Sequence, residues 1–168
     1  MSNGSIMRRL LANLSTGTWH ARRAVPRRDR ETITEAVRDA ERRTSAQIKV
    51  VVEASLHISD VIRGQTARER ALEVFGLERV WDTRENNGIL LYVLLSEHAA
   101  EVVVDRGFND IVSDQEWQRI CSILEHNAKQ DGLGQAIVLA VKEVAEIALK
   151  HFPPSGGPNE LSDEVRVR

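Results

Sequence analysis

The sequence predicts an α/β protein, a three-layer α/β/α sandwich on a small mixed β-sheet. Short β-branched or apolar runs alternate with segments whose apolar residues recur every three to four positions, as strands and amphipathic helices require. The hydrophobic fraction of 42% in 168 residues is enough for one buried core. The expected element order, α-β-α-β-β-α-α, places helices on both faces of the sheet.

The first elements follow from side-chain periodicity. Residues 30–44 carry apolar side chains at i, i+3, i+4 and i+7, starting from Ile33, and predict a helix. Residues 47–54 are rich in β-branched side chains and predict strand one. Residues 65–79 predict a second helix. The uninterrupted apolar run at 89–95 predicts a strand that is buried on both faces.

The later elements complete the sheet and cover it. Residues 101–105 predict a third strand, antiparallel to the second. The helix between strands one and two predicts a parallel, right-handed crossover. Ser113 and Glu116 have the spacing of a capping box and predict the start of a third helix. Residues 133–151 predict the last helix.

The chain is expected to divide into three parts. Residues 1–20 predict a basic amphipathic arm, and residues 21–152 predict the folded domain. Residues 153–168 predict a disordered tail, because the Pro and Gly residues at its start interrupt the last helix. Residues 1–30 contain seven arginines and one acid, a net charge of +6. Since the whole chain has a net charge of −2, residues 31–168 have a net charge of −8.

The arm carries candidate contacts to a membrane surface or a partner protein, at Arg8, Arg9, Leu10 and Leu14. A helix that covers the domain's own surface, or a mobile tail, would have the same pattern. No secretion signal is predicted, because Asn13 interrupts the apolar run.

Composition excludes several classes of protein. The net charge of −2 argues against a nucleic-acid-binding protein that is basic overall. The longest apolar run has seven residues, whereas a membrane span needs about 20. The single cysteine, Cys121, excludes an internal disulfide and a four-cysteine zinc site, and is expected to be a buried structural thiol. One cysteine without an export signal favours a reducing cytoplasm.

Polar residues are expected to meet at one end of the sheet. The loop before strand two, the loop after strand three and the start of the third helix share that end in the predicted topology. Carboxylate and amide oxygens in loops suit Ca²⁺ or Mg²⁺, although the same residue types also cap helices and form turns. The candidate cation ligands are Asp82, Asn86, Asn87, Asp105, Asp110 and Asp114, and Arg106 is a candidate anion contact.

The order of these motifs resembles the TPM domain family, and its short soluble bacterial branch most closely. Residues 63–110 carry the resemblance, through a Trp at position 81, Asn87-Gly88 before an apolar strand, a short hairpin, and a strand that ends near Gly107. Asp105-Arg106-Gly107-Phe108 departs from the Gly-Tyr-Gly-like turn of much of the family. The resemblance implies an α/β/α sandwich, divalent-cation binding in some members, and a weak acid phosphatase activity in plant relatives.

Three functions are weighed on this basis. The favoured hypothesis is a non-enzymatic accessory domain that binds a partner protein, with a divalent cation as a possible gate. One alternative is a metal-assisted phosphatase with Asp105 or Asp114 as a ligand and Arg106 steadying the phosphate. The other is a peripheral membrane protein that uses the basic arm.

Overall fold

A computed structural model describes the backbone of residues 3–168 and the side chains of residues 6–168. Within that range the chain forms seven α-helices and four strands. In chain order they are α1 (Asn3–Ser15), α2 (Thr18–Ala24), α3 (Arg27–Arg43), β1 (Gln47–Glu53), α4 (Ile58–Ile62), α5 (Ala67–Leu77), β2 (Gly88–Leu94), β3 (Ala99–Val104), α6 (Asp114–Gln130), α7 (Leu133–His151) and β4 (Arg166–Val167).

The sheet is mixed, with strand order β3-β2-β1-β4. β1 and β2 are parallel over their whole length, from Gln47 opposite Gly88 to Glu53 opposite Leu94. β2 and β3 are antiparallel, with Ile89 opposite Val104. The predicted fold class, the parallel pairing of strands one and two, and the hairpin are therefore confirmed. The five-residue α4 and the two-residue β4 are too short to produce a periodic signal in the sequence.

Helices cover both faces of the sheet. On one face Ile48, Ile89 and Leu91 pack with α3, α6 and α7 in the larger core. On the other face Val51, Leu90 and Tyr92 pack with α4 and α5 in a smaller core. All seven residues of β1 and all seven of β2 are buried. This double burial explains the unbroken apolar run of β2.

Gly88, the first residue of β2, fits a place where two backbone segments approach closely. A Cβ built on Gly88 would lie 1.9 Å from the carbonyl oxygen of Val80. The left-handed conformation of this loop belongs instead to Asn86, with φ of 53°. In the Asn87-Gly88 pair, the glycine is therefore needed because the backbone of Val80 lies against the first residue of β2.

The polar face of β1 organises the C-terminal residues. Gln47 Oε1 accepts hydrogen bonds from the backbone N–H of Glu160, at 2.7 Å, and of Leu161, at 3.1 Å. Lys49 Nζ donates to the carbonyl oxygens of Ser162 and Glu164. Burial lowers the pKa of Lys49, which is 5% exposed.

Residues 159–168, which we call the C-terminal strap, then join the sheet as β4, parallel to β1. Arg168 N donates to Val52 O, and Ala54 N donates to Arg168 O. The sequence-based expectation of a disordered tail from 153 to 168 therefore differs from the structure over these ten residues. Residues 153–158 contain no helix or strand, in line with their Pro and Gly content. The strap is ordered because β1 offers it buried polar partners and an open edge.

A pair of carboxyl groups joins the strap to α3. Glu41 Oε1 accepts a hydrogen bond from Ile48 N at 2.8 Å, which satisfies an N–H group on the open edge of β1. Burial, together with the neighbouring carboxylate of Asp163, raises the pKa of Glu41 to about 8. Arg38 Nε donates to Asp163 Oδ2 at 2.9 Å, so Asp163 stays ionised while Glu41 holds the proton.

Replacing Gly88→Ala is expected to destabilise the protein by about 3 kcal/mol or more, because the new methyl group collides with backbone that cannot rotate away. Gly76→Ala, on the open surface of α5, is the matched control and should be neutral or up to about 1 kcal/mol stabilising. Urea unfolding of both variants measures the difference. Equal stability of the two variants would contradict the proposed close approach.

The Glu41 pair makes stability depend on pH. A carboxyl group whose pKa is raised in the folded state stabilises the fold when it is protonated. This stabilisation is complete below the pKa of the unfolded state, about 4.3, and is lost as the pH rises through the pKa of the folded state, about 8. The free energy of unfolding should therefore fall between about pH 5 and about pH 9. Glu41→Gln should flatten that slope, whereas Glu35→Gln, at an exposed position of the same helix, should leave it unchanged. An unaltered slope in Glu41→Gln would show that the pair does not titrate in this way.

Candidate functional site

The predicted polar end forms where β1 and β2 begin and β3 ends. Asp105 N donates to Gly88 O at 2.9 Å, and Gly107 N donates to Asn86 O at 2.8 Å. On the other side of Asn87, Gln47 N approaches its carbonyl oxygen at 3.4 Å. We define the polar end as residues 83–88 and 105–107. The mixed topology brings these two loops together, as the sequence predicts.

Asn87 lies at the centre of the polar end and is 1% exposed. Its backbone N–H donates to Thr83 Oγ1 at 3.0 Å. Its side-chain Nδ2 donates to Ser45 O at 2.9 Å and lies 3.3 Å from Glu85 Oε2. The Asn87 Oδ1 atom is buried and has no hydrogen-bond partner among the described residues. Such an oxygen costs about 1–3 kcal/mol until a ligand or solvent molecule satisfies it.

Asp105 provides a second oxygen of this kind on the neighbouring strand. Asp105 Oδ1 accepts from Arg106 N at 2.7 Å and caps the short 3₁₀ turn Arg106–Phe108. Asp105 Oδ2 is buried and unpartnered within the described part of the chain. Arg106 Nε donates to Asn86 Oδ1 at 2.9 Å, so this guanidinium links the two loops.

Gly107 keeps the two loops of the polar end in contact. A Cβ at this position would lie 2.4 Å from Asn86 O and 3.1 Å from Glu85 O. Any side chain would push residues 105–107 away from residues 85–87. The glycine near the end of strand three therefore has a steric role in the geometry of the site.

The other predicted cation ligands do not join this group. Asp82 is exposed and forms an ion pair with Arg79. Asp110, with φ of 62°, and Asp114, the first residue of α6, are also exposed. Within residues 3–168, no group of three or more His, Cys, Asp and Glu side chains is arranged to hold a metal ion. Of the predicted cation ligands, Asn86, Asn87 and Asp105 lie in the two hydrogen-bonded loops of the polar end.

Sequence reasoning did not identify three exposed apolar side chains near the polar end in sequence as candidate contacts. Leu77, at the end of α5, is 64% exposed, and Trp81, in the loop before β2, is 51% exposed. Ile111, in the loop after β3, is 46% exposed. Leu77 is the last residue of α5, and Trp81 and Ile111 lie in the loops before β2 and after β3. Large apolar side chains at a helix end and in short polar loops are the sequence signal that could have revealed them.

The N-terminal arm is helical and packs against the domain. Arg9 forms an ion pair with Glu97 at 2.7 Å, and Leu10 packs against the smaller core. Asn13 is 4% exposed, and its Oδ1 accepts from Leu56 N at 2.7 Å and Ser96 Oγ at 2.8 Å. The residue that interrupts the apolar run is thus the one that anchors the helix.

The four candidate contacts of the arm therefore separate into two pairs. Arg9 and Leu10 face the domain, whereas Arg8 is exposed and Leu14 is 69% exposed. Met7 and Leu11 share the exposed side of α1 with Leu14. No helix in residues 3–168 is long and apolar enough to cross a membrane.

Cys121 has the environment of a structural thiol. Burial raises its pKa to about 11, which keeps it protonated near neutral pH. Its sulfur packs at the edge of the larger core. A protonated thiol is a poor nucleophile.

Comparison with known proteins agrees with the resemblance found in the sequence. A family model described as the TPM domain matches residues 23–147. The fold is similar to the NMR structure of the BA42 protein from the psychrophilic bacterium Bizionia argentinensis sp. nov., with a TM-score of 0.72 and 27% sequence identity. That similarity covers 83% of this chain and 92% of the other. No curated protein sequence matches the chain at a significant level.

Proposed function

Because the chain belongs to the TPM domain family, we propose that it is a non-enzymatic accessory domain whose polar end binds a partner protein and is gated by Ca²⁺ or Mg²⁺. The observation that carries the proposal is the pair of buried, unpartnered oxygens Asn87 Oδ1 and Asp105 Oδ2. They lie on adjacent strand ends that are hydrogen-bonded to each other.

Each of these two oxygens has the chemistry of a ligand for a hard cation. Carboxylate and amide oxygens are the ligands that Ca²⁺ and Mg²⁺ prefer, and neither atom has a competing donor among the described residues. Asn86 and Glu85 lie beside them, and backbone carbonyls or water would complete the coordination. Arg106 places a positive charge at the same end and opposes cation binding. With one central carboxylate, affinity should fall in the weak range of about 10⁻⁴ to 10⁻³ M.

The exposed apolar side chains supply the partner surface in this proposal. Leu77, Trp81 and Ile111 are exposed in the segments next to the polar end along the chain, and interfaces commonly combine an aromatic anchor with a polar region. A bound cation would neutralise Asp105 and fix the loops at 83–88 and 105–107. Because the loops would already be ordered, less conformational entropy would be lost when a partner binds to this end of the domain.

The cation site is tested by two-dimensional amide NMR titration with Ca²⁺ and then Mg²⁺. We expect saturable shifts at 83–88 and 104–107, and a loss of affinity of about tenfold or more in Asp105→Asn, because this change removes the central negative charge. Asp82→Asn, at the same end but paired with Arg79, is the control and should titrate like the unmodified protein. No saturable shift at millimolar metal would refute the cation gate.

Hydrolysis of a phosphomonoester separates this proposal from the phosphatase alternative. Arg106 beside Asp105 is the observation that favours that alternative, since a guanidinium can hold phosphate. We expect no metal-dependent turnover. Turnover that requires metal and is abolished by Asp105→Asn would favour the phosphatase instead.

A second candidate function, peripheral membrane binding, is favoured by the exposed side of α1. Met7, Leu11 and Leu14 are 59%, 61% and 69% exposed, and Arg8 lies beside them. If this face binds lipid, Leu11→Asp with Leu14→Asp should weaken co-sedimentation with anionic vesicles by about tenfold or more. Leu72→Asp, at a half-exposed position of α5, should not. Equal vesicle binding by all three proteins would exclude this face as the contact.

A further inference from the structure

A pocket of about 410 Å³ lies at the other end of the sheet, where β2 ends and β3 begins. Its wall combines the carboxyl end of β2, the start of β3, α2, and the facing sides of α6 and α7. Its size is within the range of small-molecule sites. In open α/β sheets the carboxyl ends of the strands are the usual position for a ligand.

The wall of this pocket is aliphatic. Among the described residues that line it there is no Phe, Tyr or Trp, and its two imidazole rings, His20 and His98, are at exposed positions. The buried part of the wall suits an apolar ligand tail, because its burial removes apolar surface from water. The apolar wall is formed by Val93, Leu95, Ala99, Leu124, Ala128 and Leu133.

The rim of the pocket is basic. Arg23 and Lys129 both line it, and neither has an ion-pair partner among residues 6–168. The Arg23 guanidinium lies 5.4 Å from the centroid of the Trp19 ring, which positions it without neutralising its charge. Glu125 is the single acid in the wall, and its Oε1 accepts from Ala100 N at 3.0 Å.

We propose that this pocket binds a medium-chain fatty acid or a ligand of the same chemical class, an unbranched apolar tail with an anionic head. The tail occupies the aliphatic wall between β2 and α6. The head lies at the rim, between Arg23 and Lys129, where an anion meets two cations that lack a protein partner. The proposal does not depend on the cation site or on the membrane contact of α1.

The probes are octanoate and dodecanoate, each below its micelle concentration, and the readout is amide NMR on the full chain. We expect saturable shifts at 93–100 and 124–133, and an affinity that increases about fourfold for each further methylene that is buried. Dodecyltrimethylammonium has the same tail length with a cationic head, and should bind at least tenfold more weakly.

Two kinds of variant test the pocket itself. Arg23→Glu with Lys129→Glu should weaken dodecanoate binding about tenfold, whereas Lys142→Glu, an unpaired exposed cation on α7, should leave it unchanged. Ala128→Leu should reduce binding of dodecanoate more than that of octanoate, since it fills part of the cavity. Thermal unfolding verifies that each variant folds.

Three results would overturn the proposal. The first is the absence of saturable shifts with either acid. The second is an equal affinity for the anionic and cationic amphiphiles, which would mean that the rim charges do not recognise the head. The third is a set of shifts confined to Met7, Leu11 and Leu14, which would place the amphiphile on the exposed side of α1.

Discussion

The burial of a polar strand face determines much of this structure. β1 is covered on both sides, yet three of the four side chains on its second face are polar: Gln47, Lys49 and Glu53, with Val51 between them. Each needs a hydrogen-bond partner, because burying a polar group without one raises the free energy of the folded state. Arg70 binds both Glu53 oxygens, at 2.9 and 2.7 Å.

The partners of Gln47, Lys49 and Glu53 come from two separate parts of the chain, its middle and its C-terminal strap. Tyr92 donates to Glu53 Oε2 at 2.6 Å, and burial and the Glu53 charge raise the pKa of this hydroxyl. Gln47 and Lys49 are satisfied by backbone groups of the C-terminal strap, more than 110 residues later in the sequence. The strap is consequently part of the folded domain, and it closes the edge of a sheet that would otherwise expose unpaired backbone groups.

The local pattern of apolar and capping residues was sufficient to predict the helices and strands whose own apolar side chains pack into the core. The periodicity of α3, the apolar run of β2 and the capping box at Ser113 correspond closely to the observed elements. The strap has no such pattern, because its order depends on partners that β1 supplies. The alternation of polar and apolar residues at Gln47, Lys49 and Glu53 was the available signal, since an amphipathic strand in a doubly covered sheet requires a polar cover.

The two ends of β2 differ in chemistry because the sheet is mixed. Parallel strands alone would place polar loops at their carboxyl ends. Here the antiparallel β3 returns to the amino end of β2, so the loop after β3 meets the loop before β2, as topology predicts. Which polar residues converge was beyond topology, because it depends on the left-handed turn at Asn86 and the close approach at Gly107. At the carboxyl end of β2, two polar residues of the short turn to β3, Ser96 and Glu97, are bound by α1, and α6 supplies small aliphatic side chains such as Ala128 to the pocket. The amino end of β2 therefore lies beside the unpartnered oxygens of Asn87 and Asp105, whereas its carboxyl end lines a mainly apolar pocket.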